Sequence, residues 1–142
     1  MYRTILVPLD NTRTDETILA HIRPLARLVG AGIVLVHVAD GFAARHQQAL
    51  DLQDSREIIE DTAYLQRREG ELRSEGFTVS SVLEKGDPTA GILAVAGRVG
   101  ADLIAMATHG HRLLGDLLRG SVADQLRHQT SIPILMVRGP RP

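Results

Sequence analysis

The sequence predicts an α/β fold: a single-domain, doubly wound, open parallel sheet of five strands with helices on both faces, of the Rossmann-like kind. Three observations predict it. Four short apolar runs do not alternate between polar and apolar residues, the pattern of strands covered on both faces. Helical segments fall between these runs, so the order reads β-α-β-α-β-α-β-α-β, and alternation of this kind means parallel strands joined by crossover helices. Glycines punctuate the ends of three of the helical segments.

The elements follow in order. The first strand is Thr4 to Leu9 (TILVPL) and the second Gly32 to Val38 (GIVLVHV). Between them a helix runs to Val29, with Thr12 or Thr14 as its cap, Asp15 and Glu16 at its positive end and Gly30 as its stop. Pro24 inside it removes one backbone hydrogen bond and predicts a kink. Residues Ala39 to Gln53 are of mixed composition and read as a loop or lid. A second helix spans about Asp54 to Glu75. Ile58, Leu65 and Leu72 recur along it as one apolar stripe, and Gly76 ends it. The run from Phe77 to Leu83 (FTVSSVL) does alternate and belongs near a sheet edge. The third helix has Asp87 as N-cap, Pro88 in its first turn, Ile92, Leu93, Ala96 and Val99 as its buried face, and Gly100 as its stop. Asp102 to Ala107 (DLIAMA) is the next strand, Ser121 to about His128 the last helix, and Ile132 to Val137 (IPILMV) the last strand.

Composition narrows the function. A chain of 142 residues fits one domain, 1–142. A fold of that size buries roughly 70% of its unfolded surface and needs no staple. No cysteine is present, which excludes disulfides and cysteine-ligated metals. The formal charge is −1 with no basic block, so a nucleic-acid partner gains no support. No apolar run approaches a membrane span, and the opening MYRTILVPLD lacks the features of a signal peptide, so the expected location is the cytoplasm with no membrane partner.

The stretch that bears chemistry is Ala107-Thr108-His109-Gly110, followed nine residues later by Gly120-Ser121. It leaves a strand and ends at a helix start. Gly110 lets a ligand approach the backbone, and Gly120-Ser121 would offer free N–H groups and a hydroxyl in a helix's first turn, an anion site. The dipole contributes only roughly 0.3–1 kcal/mol per charge, so tight binding needs several donors and a cation. The same residues also read as a Gly stop and a Ser N-cap, with Arg112 to Arg119 as an ordinary surface loop. Known phosphate motifs are absent. Asp116 stands where a P-loop needs Lys, and no G-x-G-x-x-G follows the first strand.

Taken together, these residues resemble the universal stress protein family of the UspA type over essentially the whole chain. The resemblance rests on Ile5-Leu6-Val7-Pro8-Leu9-Asp10, Leu35-Val36-His37-Val38 and Gly86-Asp87-Pro88. It rests most on Ala101-Asp102-Leu103-Ile104 with Thr108-His109-Gly110, and on Gly120-Ser121-Val122-Ala123 ahead of Ile132 to Arg138. It implies a strand order of 3-2-1-4-5. Members that bind ATP carry Gly, two residues, Gly, nine residues, Gly, then Ser or Thr; here Ala107 replaces the first Gly and the rest is kept. At negative φ that replacement adds only a methyl; at positive φ it costs about 1 kcal/mol or more. The resemblance implies that Asp10 contacts the adenosine, lined by Pro8 and Leu9, and that Val38 reads the base edge through its backbone. Met106 and Ala107 would lie under ribose and phosphates, with Gly110, Gly120, Ser121 and Val122 holding the phosphates. The implied ligand is ATP with Mg²⁺. Asp10 also reads as a simple cap of the following helix. Where the family usually has Gly-Ser after this Asp, the chain has Asn11-Thr12.

Other candidates are weaker. His109 and His111 lack a nearby carboxylate or thiolate and make a poor metal site, so no metal residues are assigned. His37 reads as a satisfied core histidine, and the carboxylates from Asp51 to Asp61 as one solvated face. No nucleophile–base pair stands at a recognisable spacing, so no catalytic residues are assigned. Pro133 suits an edge strand, and a bare edge from Ile134 to Val137 invites pairing with a second copy, the homodimer common in the family. The expected function is binding of ATP as a regulatory ligand in a stress response, with any hydrolysis slow and incidental. The alternative is a dimeric interaction module of the same fold that binds no nucleotide; a true ATPase is a third reading.

Overall fold

In the computed structural model, which describes residues 1–40, 47–108 and 122–139 (and the side chains among them except those of 40 and 47–55), the apolar runs form one five-stranded sheet. The strands are β1 (Thr4–Pro8), β2 (Gly32–Asp40), β3 (Val79–Gly86), β4 (Leu103–Thr108) and β5 (Ile134–Arg138). The helices among the described residues are α1 (Thr14–Val29), α2 (Gln47–Ser74), α3 (Pro88–Val99) and α4 (Val122–Gln129). Strand order is β3-β2-β1-β4-β5, and every pairing is parallel. The alternating run after Phe77 does become an edge strand, and β5 is the other edge.

The continuous runs are explained by cover on both faces. Ile5, Val7, Ile33, Leu35, Leu103 and Ala105 pack under α1 and α2, against Ile18, Leu19, Ile22, Leu65 and Leu72. Leu6, Val34, Val36, Ile104 and Met106 pack under α3 and α4, against Ile92, Val95, Ala96, Ala123 and Leu126. Successive residues point to opposite faces, so a strand buried on both has no polar position to spare.

The ends of the elements depart from expectation in informative ways. Neither Thr12 nor Thr14 caps α1 through its side chain; Arg13 stands at that position without a capping bond, and Thr12 Oγ1 donates instead to Asp10 Oδ1 (2.5 Å). Helix α1 runs unbroken through Pro24, on its exposed side. Strand β2 runs on through Ala39 and Asp40 and helix α2 begins at Gln47, both inside the stretch expected to be a loop or lid, and residues 41–46 between them lie outside the described residues. Leu65 and Leu72 of its stripe are buried, whereas Ile58 is only half-buried. Asp87 caps α3 as expected, accepting from the Ala90 N–H at 2.9 Å, and Gly30 and Gly100 end their helices in the left-handed conformation. Asp102 ties the start of β4 to that of β1 by accepting from the N–H groups of Arg3 (2.9 Å) and Thr4 (3.0 Å), and these bonds hold its carboxyl below the usual range.

Candidate functional site

Strands β1 and β4 lie side by side at the centre of the sheet, in register Ile5↔Leu103 and Leu6↔Ile104. From β1 the chain passes to β2 and β3 on one side, and from β4 to β5 on the other. This is the topological switch point, and parallel sheets of this kind hold their ligands in a crevice beyond the carboxyl ends of the strands there. Pro8 ends one strand, with Leu9 and Asp10 after it; Met106, Ala107 and Thr108 end the other. Helix α4, whose described part opens at Val122, packs on the same half of the molecule. Gly110, Gly120 and Ser121 lie outside the described residues, as do His109, His111 and Asp116.

The described candidates divide by their exposure. Asp10 is exposed at the mouth of the crevice. Leu9 is core: its side chain packs under α1 and α2, its N–H donates to Val36 O (2.8 Å), and its carbonyl meets His37 Nδ1 (2.8 Å). Met106 is also core, 8% exposed and turned toward α3 and α4. Its neighbour Ala107 packs on the opposite face and is half-buried. Pairing of β1 with β2 ends at Pro8↔Val36, while β2 continues to Asp40, so Val38 lies on a ledge beyond the last β1 pair. One side of that ledge is held by β3, through Val38↔Glu84.

Two sequence questions are settled by dihedral angles. Among the described residues that are not glycine, only Asn11 has a positive φ, at 62°. Ala107 therefore sits in ordinary extended backbone, and its departure from Gly amounts to a methyl group. Asn11 takes the left-handed conformation that a Gly would take most easily, and Asn is among the residues that tolerate it best. The turn after Asp10 thus has a left-handed residue without a glycine.

What sequence reasoning missed is Asp15. It is 2% exposed, yet accepts three hydrogen bonds: from the N–H groups of Asp10 (3.0 Å) and Asn11 (2.8 Å), and from the Tyr64 hydroxyl of α2 (2.5 Å). Burial pushes its carboxyl up to about 6, against the lowering pull of the Tyr64 and Asp10 donors; the Asp10 charge adds to the rise. Burial likewise pushes the Tyr64 hydroxyl up to about 12. Asp15 read only as an acid suited to a helix start; the available signal was an apolar neighbourhood, Ile18-Leu19-Ile22, on its own helix face. His37 is satisfied, as expected, but partly through Asp61, whose Oδ2 lies 3.1 Å from His37 Nε2. Asp61 is therefore not part of a solvated face: α2 turns it inward toward the sheet. Among the described residues no cluster of three metal-ligating side chains occurs, and no described helix is long and apolar enough to cross a membrane.

The architecture and the matching residues place the chain among known proteins. It is 26% identical to universal stress protein MJ0577 of Methanocaldococcus jannaschii, over 97% of this chain and 96% of that one. The solved structure of MJ0577 superposes with a TM-score of 0.87, covering 100% of this chain and 99% of the other at 27% identity. Two further neighbours share the fold at lower identity. One is a universal stress protein in complex with cAMP (TM-score 0.73, 18% identity, 96% and 97% covered). The other is the universal stress protein of Archaeoglobus fulgidus in complex with dAMP (TM-score 0.70, 22% identity, 96% and 98% covered). The profile of the universal stress protein family spans residues 1–138, nearly every residue from which the sheet and its crevice are built, and the chain is a member of that family.

Proposed function

We propose that the chain binds an adenine nucleotide, ATP with Mg²⁺, in the crevice between β1 and β4, as a regulatory ligand in a stress response and not as the substrate of an enzyme. The observation that carries this reading is the switch point itself: β1 and β4 are adjacent, their connections diverge, and Asp10 stands exposed at the opening. The described residues fit the ligand. The ledge at Val38 gives a base an exposed backbone edge, and Asp10 supplies acceptors for ribose hydroxyls. Pro8 and Ala107 are small enough to form the floor. Leu9 and Met106, being core, contribute main-chain atoms only. Gly110, Gly120, Ser121 and Val122 are the phosphate-holding residues in this reading, and Mg²⁺ would neutralise phosphate charge there. Two neighbours of the same fold are described in complex with adenine nucleotides, which is consistent with this choice of ligand.

The whole chain, 1–142, is read as one such domain, working in the cytoplasm as a homodimer joined through β5. The test is direct. Nucleotide released from the purified protein, or a thermal shift at millimolar Mg·ATP, is expected for the wild type. Gly120→Val should abolish both while leaving the circular dichroism spectrum unchanged. If the wild type carries no nucleotide and shows no shift, the non-nucleotide interaction module replaces this reading.

A further inference from the structure

The turn that joins β1 to α1 is gripped from outside by one helix. Tyr64 and Asp61 sit three residues apart on α2, on one helical face. Tyr64 donates to Asp15, whose two carboxylate oxygens take the N–H groups of Asp10 and Asn11. Asp61 contacts His37, whose other ring nitrogen meets the Leu9 carbonyl. Three consecutive residues of the turn, Leu9, Asp10 and Asn11, are thus held through two side-chain relays that both end on α2.

We propose that Asp15 and Tyr64 are positioning residues: they couple the placement of α2 to the conformation of the Leu9–Asn11 turn, and through it to the affinity of the crevice for its nucleotide. The second half rests on the function proposed above. Three features argue that the pair does more than fill space. All three donors reach the carboxylate, and their fit requires it to be ionised; adding a proton to either oxygen sets O–H against N–H or O–H. Asp15 is nearly inaccessible to water, so no solvent donor can substitute. The turn it holds includes the one described non-glycine residue with positive φ, Asn11, a conformation that needs surrounding support. The charged and titratable groups facing Asp15 are Asp10 from the turn, Tyr64 from α2 with Arg68 behind it (Nε to Tyr64 Oη 3.3 Å), and Glu16 beside it, paired with Arg68 at 2.9 Å. His37 and Asp61 meet the turn one residue earlier, at Leu9.

The experiment follows the amide protons of Asp10 and Asn11 by NMR from pH 5 to 8 in the full ¹⁵N-labelled chain, with Mg·ATP affinity measured calorimetrically at pH 7.5. In the wild type both amides should move together, in one step centred near pH 6. Tyr64→Phe removes a single donor; it should raise that midpoint by about half a unit or more and weaken ATP binding about threefold to tenfold. Asp15→Asn should erase the step in both amides. A midpoint that Tyr64→Phe leaves in place overturns the assignment, whether or not nucleotide binds. Tyr64→Phe binding ATP as tightly as wild type overturns the link to affinity. A wild type that binds no ATP, but whose amide step moves in Tyr64→Phe, sinks the nucleotide reading and upholds the coupling of α2 to the turn.

Discussion

Asp15 shows how a single buried charge can work against stability while ordering a site. Its folded carboxyl titrates at about 6, above the ordinary value of 3.8. Between those values the unfolded chain has released its proton while the folded chain keeps it. The Asp15 contribution is therefore fully present below about pH 3.8 and is lost as pH rises through about 6. Its size is of the order of 1–3 kcal/mol. Asp102 runs the other way, since its lowered carboxyl adds stability above the ordinary value and loses it as pH falls. Comparing wild type with Asp15→Asn isolates the first effect. The difference in unfolding free energy from urea titrations at pH 4, 5, 6 and 7 should slope between 4 and 6 and be level above. A flat difference throughout would show that Asp15 titrates normally.

Among the elements, the packing of α3 on β2 bears most closely on the ledge. A Cβ added at Gly91 would come within 3.0 Å of both Val38 methyl carbons, whereas one added at Gly97 of the same helix meets nothing within 4 Å. Replacing a mid-helix Gly by Ala gains roughly 0.5–1 kcal/mol in helix propensity. Overpacking a tight contact loses typically about 1–3 kcal/mol, and it wins at Gly91 because both Val38 methyls are met at 3.0 Å and Glu84 Cγ at 3.4 Å, so two side chains must give way at once. Gly91→Ala should therefore lower Tm by about 4 °C and Gly97→Ala raise it by about 2–4 °C in thermal melts of the two variants. Equal shifts in the two would show that Val38 yields freely.

At the scale of the whole molecule, the sheet leaves two edges, and they are not alike. Each edge strand pairs with one neighbour, β3 with the long β2 and β5 with β4, but β5 presents Met136, 48% exposed, among half-buried Ile134, Leu135 and Val137. An edge of that kind is blunted by charge or covered by a partner. Light scattering at micromolar concentration should report a dimer for the wild type, and Met136→Lys should shift it toward monomer. A wild type that stays monomeric would remove β5 as the joining strand.

The order of elements, the parallel pairing and both edges were legible because they depend on local pattern: unbroken Val/Ile/Leu runs, glycine stops, and a Pro133 that suits an edge. Asp10 and Ala107 could likewise be placed at strand ends. What tertiary structure alone decided were contacts between residues far apart in sequence. Asp15 and Tyr64 are separated by 49 positions, and no periodicity in either segment announces that they meet. The inward turn of Asp61 toward His37, the conformation of Asn11 and the ordinary backbone of Ala107 belong to the same class. Local preference chooses helix or strand within a dozen residues, but the partner of a buried polar group is chosen by which faces the packed sheet brings together.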